Sequence, residues 1–214
     1  MKILGISGGL SMHSTHTGRL RAAAGVLPPD TEFEITTLHG IQSYNEDGKL
    51  DLPAPVRSLM ERVRPADVVL FAVPEDDGRV AGVLEDAIDC GSRLPDVNVG
   101  TGKPVATVGA SVGMMRTGRA ELHLRQPSAT REMRSLGQPD LPVTSSAKKF
   151  DREGNPTEPD VRKRVGALLA GLVAWTRFLR DESPTARGPP GPSELRRPRA
   201  ILKGWAFSSA TTGT

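Results

Sequence analysis

The sequence predicts an α/β fold: a doubly wound, five-stranded parallel sheet of order 2-1-3-4-5, with helices on both faces. Three observations predict it. Strand-like and helix-like segments alternate from the N-terminus to about Arg180, the pattern of successive βαβ units. Asp67–Val73 (DVVLFAV) is a continuous apolar run, as expected of a central strand covered on both faces. The first apolar run, Lys2–Ser7, breaks into Gly8-Gly9 just before a helical stretch, which is how a strand turns tightly into its crossover helix.

Each element follows in order. Lys2–Ser7 is strand one, and a helix is predicted from about Ser14 to Val26, with Leu20 and Ala22–Ala24 inward and Pro28-Pro29-Asp30 beyond it. Glu32–Thr37 alternates polar residues with Phe33 and Ile35, a strand pattern. Pro53 and Pro55 precede a helix over about Val56–Arg64. After the central strand, Gly78–Arg93 reads as a helix, with Val83, Leu84, Ala87 and Ile88 on one face. Asp77 would be its N-cap. Pro104–Gly109 is the fourth strand. A helix kinked at Pro127 is expected over about Gly118–Leu136, and Leu141–Thr144 is a short fifth strand. An amphipathic helix over about Pro159–Arg180, with Leu168, Leu172, Trp175 and Leu179 on its face, closes the pattern.

Residues 1–182 therefore read as one domain. Residues 183–214 read as a disordered Pro/Gly/Arg-rich tail, because Gly188-Pro-Pro-Gly-Pro192 fits neither helix nor central strand. Charge divides the same way. Arg187, Arg196, Arg197, Arg199 and Lys203 against Glu194 place the positive excess in the tail, so the folded part is near neutral. That argues against nucleic acid as a partner, since a nucleic-acid-binding domain carries its basic patch on the fold. No apolar run reaches the ~20 residues that span a bilayer, which argues against a membrane location. The N-terminus lacks the pattern of a signal peptide, and Cys90 is the single cysteine, so a cytoplasmic protein is expected. Cys90 shares a helix face with Leu84 and Ala87 and reads as a small buried hydrophobe.

Ligands of a doubly wound sheet bind beyond the carboxyl ends of the strands, where the strand order switches. The loops after strands one, three and four are thus the candidate site. The first, Ser7-Gly8-Gly9-Leu10-Ser11-Met12-His13-Ser14-Thr15-His16-Thr17, is rich in small residues and hydroxyls and opens a helix. Such a turn offers backbone N–H groups and the positive end of the helix dipole to a phosphate. The second is Pro74-Glu75-Asp76-Asp77-Gly78, and the third runs from Gly109 through Ser111 and Gly113.

Beyond these features, the run Gly82-Val-Leu-x-x-Ala-Ile-Asp-x-x-Ser-Arg93 and the third-loop segment Arg119-Ala120 to Leu124-Arg125-Gln126 carry a specific likeness. Over about residues 1–180 the chain resembles the NAD(P)H-dependent FMN reductases, a flavodoxin-like family that includes chromate, azo-dye and quinone reductases. Their three loops read G-S-L-R-x-x-S-x-N, P-E-Y-N-G-S-x-P-G-x-L-K-N-A-I-D-W-x-S-R and roughly S-x-G-x-x-G-G-x-R-A-x-x-x-L-R-Q. Tyr44-Asn45-Glu46-Asp47 and Lys149-Phe150-Asp151 are also family-like. The resemblance implies FMN as cofactor, NAD(P)H as electron donor, a small-molecule electron acceptor (a quinone, azo compound, metal oxyanion or free flavin) and a homodimer or homotetramer. It implies FMN contacts at Ser7, Gly9, Leu10, Ser11, Ser14, His16, Thr17, Pro74, Glu75, Asp76, Asp77, Gly78, Ser111 and Gly113. It assigns no general acid or base and no metal.

Several of these positions depart from the family. Gly9 stands for Ser, and Ser11 for the Arg that meets the FMN phosphate. His16 stands for Asn, Asp76-Asp77 for Tyr-Asn, and Cys90 for Trp. One lost charge-assisted hydrogen bond is worth about 1.5–3 kcal/mol, or roughly 10- to 150-fold in affinity. A like charge at 6–8 Å from the cofactor costs about 2–3 kcal/mol at an effective dielectric near 20. Weakened or lost FMN binding is therefore expected. A second reading uses the same cleft without flavin: His13 and His16 opposite Asp76 and Asp77 would suit acid–base or metal chemistry. A third is a non-catalytic binding protein.

Overall fold

In the computed structural model the chain forms a mixed, largely parallel sheet between two helical layers. The structure describes residues 1–11, 13–43, 52–76, 79–80, 82–92, 99–111, 124–126, 128, 130, 132–137, 142–144, 151–152, 155 and 157–181. The strands are β1 (Lys2–Ser7), β2 (Glu32–Thr37), β3 (Val68–Asp76), β4 (Arg79–Val80), β5 (Pro104–Ser111), β6 (Arg134–Ser135) and β7 (Pro142–Thr144). The helices are α1 (Thr15–Ala24), α2 (Ala54–Val63), α3 (Gly82–Ser92) and α4 (Pro159–Asp181).

The sheet runs β2-β1-β3-β5-β6, with β7 also paired to β5 and β4 paired to β3. All pairings are parallel except β3–β4. Counting β6 and β7 as two short pieces of one edge position, this is the expected five-strand order 2-1-3-4-5. Ser7 of β1 lies opposite Ala72 of β3, and Pro74 of β3 lies opposite Ala110 of β5. The carboxyl ends of β1, β3 and β5 thus open side by side.

Alternation along the strands divides the core between the two faces. Leu4, Ile6, Val69, Phe71 and Val73 pack with Val56, Leu59, Met60 and Val63 of α2 and with Leu84, Ala87, Ile88 and Cys90 of α3. Ile3, Val68, Leu70 and Ala72 turn the other way, onto Leu20 and Ala23 of α1 and Val165, Leu168, Leu169 and Leu172 of α4. Gly5 is small for a reason: a Cβ there would stand 3.0 Å from the Phe33 ring and 3.1 Å from Leu20. Under the first face lies a narrow apolar hollow of about 30 Å³, lined by residues that include Val63, Phe71, Ile88, Val99 and Met133. Cys90 is buried in that layer, as its helix position implies.

Two expectations are corrected. The helix after the central strand does not begin at Gly78. β3 continues to Asp76, and Glu75-Asp76 pairs antiparallel with Arg79-Val80, so α3 starts only at Gly82; Asp77, the expected N-cap, lies outside the described residues. Pairing with the free edge of an extended β3 satisfies backbone groups that an early helix start would otherwise have to cap. The helix expected to reach Leu136 also ends early. Residues 124–126, 128 and 130 are helical, but Arg134-Ser135 is strand β6, tied to β5 by Arg134 N donating to Lys103 O and Leu136 N to Val105 O, both at 2.8 Å. Among the described residues no helix is long and apolar enough to cross a membrane.

Candidate functional site

The first loop is built around three hydroxyls. Gly8 N donates to Ala72 O at 2.9 Å, which carries the β1–β3 ladder one residue past the strand. Ser7 is fully buried, and its Oγ lies 2.8 Å from Thr17 Oγ1 and accepts from Gly9 N at 3.3 Å. One serine thereby ties the strand end, the turn and the first turn of α1 together. Ser14 is the N-cap, as the sequence indicates: its backbone is extended and its Oγ accepts from His16 N at 3.2 Å. The N–H groups of a helix's first turn have no intrahelical acceptor, so this end of α1 presents donors and a positive dipole to whatever lies beyond the strands.

Gly9 is fitted to that cap. A Cβ at residue 9 would collide with Ser14 Oγ and stand 3.3 Å from Cδ2 of His16. The loop, the cap hydroxyl and the imidazole therefore interlock, and the Gly in place of the family's Ser leaves room for them.

His16 is the unusual member. Its Nδ1 is buried and has no hydrogen-bond partner. Burial, and then the nearby charge of Arg19, lower its pKa to about 4, so the ring is neutral at physiological pH. Arg19 is itself fully buried, with Nη1 donating to Thr15 O at 3.1 Å, and burial lowers its pKa to about 9. A buried polar atom left unpaired costs about 1–3 kcal/mol. His16 belongs to the first turn of α1, which also carries Thr17 and is capped by the Ser14 hydroxyl. That donor set fits a phosphoryl group, so this end of the site fits FMN. Arg19 was not singled out from the sequence. Its signal was spacing: it lies four residues before buried Ala23 and next to buried Leu20, on the inner face of α1.

Of the other sequence-derived site residues, Leu10 and Ser11 are exposed on the outside of the loop, and His13 is exposed beside them. The backbones of Pro74, Glu75 and Asp76 continue β3 past the level of Ser7, and Ser111 ends β5. The strand ends thus bring the first and second loops to one edge of the sheet. Asp77, Gly78, Gly113, Arg119, His123, Lys149, Phe150 and Tyr44–Asp47 lie outside the described residues. Among the described residues no group of three or more His, Cys, Asp or Glu could hold a metal ion.

Residues 1–148 match the model of the NADPH-dependent FMN reductases. The chain belongs to that family. As a member it is an NAD(P)H-dependent flavin oxidoreductase. It is 39% identical over 181 residues to an NAD(P)H-dependent FMN reductase of Pseudomonas aeruginosa, covering 84% of this chain and 97% of the relative. It is 31% identical over 180 residues to a 2-hydroxy-1,4-benzoquinone reductase of a Burkholderia species, covering 84% of this chain and 98% of the relative. The fold matches a flavoenzyme NAD(P)H:(acceptor) oxidoreductase of Paracoccus denitrificans with a TM-score of 0.74 at 22% identity, over 83% of this chain and 97% of that one. Membership decides among the readings left open by the sequence in favour of flavin chemistry. His16 is half-buried with its Nδ1 enclosed, whereas His13 is exposed.

Proposed function

We propose that this FMN reductase passes electrons from NAD(P)H to a quinone-type acceptor through an FMN held less tightly than the family's loop would hold it. The observation that carries the reading is the donor set at the start of α1: first-turn amides, the Ser14 and Thr17 hydroxyls, and the buried, unpartnered Nδ1 of His16. When bound, FMN accepts a hydride from NAD(P)H and hands two electrons to the acceptor. The chain's own residues bind and orient it. Ser7 and Thr17 fix the loop, Gly9 and Ser14 shape it, and Leu10 and Ser11 form its outer lip. Pro74, Glu75, Asp76, Asp77 and Gly78 line the isoalloxazine side, with Ser111 and Gly113 on the third loop.

Two features support a weakened cofactor site. Ser11 supplies no permanent cation to the phosphate. Asp76 and Asp77 add negative charge to the loop beside a cofactor that becomes more negative on reduction. The quinone acceptor is inferred from relatives named as quinone reductases, in bacteria and in plants. A homodimer or homotetramer, a cytoplasmic location, a folded domain over residues 1–182 and a separate tail over 183–214 complete the proposal.

The test is an absorbance spectrum of freshly purified protein with and without added FMN, followed by NAD(P)H oxidation with 1,4-benzoquinone. A flavin spectrum on reconstitution and acceptor-dependent oxidation are expected. No FMN affinity below about 100 μM, a bound fraction too small to sustain turnover at ordinary cofactor levels, together with no NAD(P)H oxidation, would overturn it.

A further inference from the structure

The first loop lacks the permanent cation that its family resemblance leads one to expect. Ser11 stands where a phosphate-binding Arg is expected, and it is exposed. Two helical positions into α1, His16 packs its ring against Gly9, and its buried Nδ1 is not satisfied by the protein. An imidazole in that position can serve a dianion in a way that Asn cannot, by becoming an imidazolium once the dianion is present.

We propose that His16 is a proton-linked recognition residue: it takes up one proton from solvent when the phosphate monoester of FMN seats at the N-terminus of α1, so that FMN, but not riboflavin, is held more tightly as pH falls toward 6.

The charges around the ring permit this. On α1, Arg19 opposes protonation in the free protein, and burial opposes it more strongly. On the loop, His13 is exposed. From β3, Glu75 and Asp76 continue the strand at the same sheet edge. Free His16 is therefore neutral throughout the working range. An opposite charge within about 4–6 Å raises a pKa by roughly 1–3 units, and a phosphate dianion brings two charges. Seating the phosphate thus lifts the ring into the range where it binds a proton. By linkage, affinity then rises up to ~10-fold per pH unit of acidification between the free and bound values, and is flat above the bound value. Below about pH 6 the phosphate itself takes up a proton, so the usable window is about pH 6–8.

This inference rests on the reading of the loop as an FMN site, and the test separates the two. FMN and riboflavin are titrated against the apoprotein from pH 6 to 8 by flavin fluorescence. Calorimetry in two phosphate-free buffers of unlike ionisation heat counts the protons taken up. The expected result is a threefold or greater gain in FMN affinity between pH 8 and 6.5 with net proton uptake, a flat riboflavin profile, and loss of both pH effects in His16→Asn. His16→Gln is the second variant, and the ring shift of His16 followed by NMR on adding FMN reports directly on wild-type protein. Tight FMN binding with no proton uptake, or an unchanged slope in His16→Asn, would overturn the proposal and leave the FMN site standing. No FMN binding at any pH would overturn both.

Discussion

The Ser14 hydroxyl occupies the space that a side chain on Gly9 would need. The same hydroxyl caps α1 by accepting from His16 N. Restoring even a methyl at residue 9 must therefore push the cap out of place. Gly9→Ala is expected to cost about 1 kcal/mol, the usual worth of an N-cap, and to lower the thermal midpoint by about 3 °C. Ser14→Ala should cost about the same. The double variant should cost little more than either, because the cap can be lost only once. Simple additivity in a thermal-denaturation cycle would show that the two positions do not interlock.

A cation returned to the outer lip should restore phosphate affinity. Ser11 is exposed, and its backbone carbonyl accepts from Ser14 N at 3.1 Å. Ser11→Arg therefore fits without disturbing the loop. FMN affinity should rise about tenfold or more, with riboflavin affinity unchanged and stability altered by less than about 0.5 kcal/mol. An equal gain for both flavins in a fluorescence titration would mean that the new side chain does not reach the phosphate.

The acidic loop gives a third test. Asp76→Tyr combined with Asp77→Asn removes two negative charges from the loop proposed to line the isoalloxazine. FMN should bind more tightly and its reduction potential should rise, since the reduced form gains most from losing like charge. Spectroelectrochemical titration of the reconstituted variant checks the sign. A lower potential would place these carboxylates away from the flavin.

His16 also sets an acid limit on the apoprotein. Its folded pKa of about 4 lies below the unfolded value of 6.5. As pH falls through that interval, the unfolded chain takes up a proton that the native state refuses, so stability declines from about pH 6.5 to about pH 4 and is level below. The group alone accounts for about 3 kcal/mol across the window. Urea unfolding of apoprotein at several pH values should show this slope, and His16→Asn should flatten it by that amount. Arg19→Met should move the native pKa of His16 upward, because the Arg19 charge contributes to its depression.

How much of this was legible in the sequence follows from what each element rests on. The central strand, α3 and α4 announce themselves because their apolar residues recur at the strand or helix period over many positions. Strands β4 and β6 do not. Arg79-Val80 and Arg134-Ser135 are two residues each, carry no apolar period, and exist because a neighbouring edge offers partners. The Ser14 cap was readable, since a serine before a helical run is a local signal. The full burial of Arg19 was not, since arginine is ordinarily exposed and only the packing of α1 on the sheet removes it from water. The fit of Gly9 to Ser14 was equally hidden, because it depends on how the loop folds back over five residues.

The hollow beneath α2 and α3 has a consequence for how the molecule responds to hydrostatic compression. Its walls are apolar, so water gains little by entering at ambient conditions. Unfolding abolishes such space, and the volume lost on denaturation scales with it. Kilobar pressure therefore acts preferentially on the layer that holds α2, α3 and Cys90.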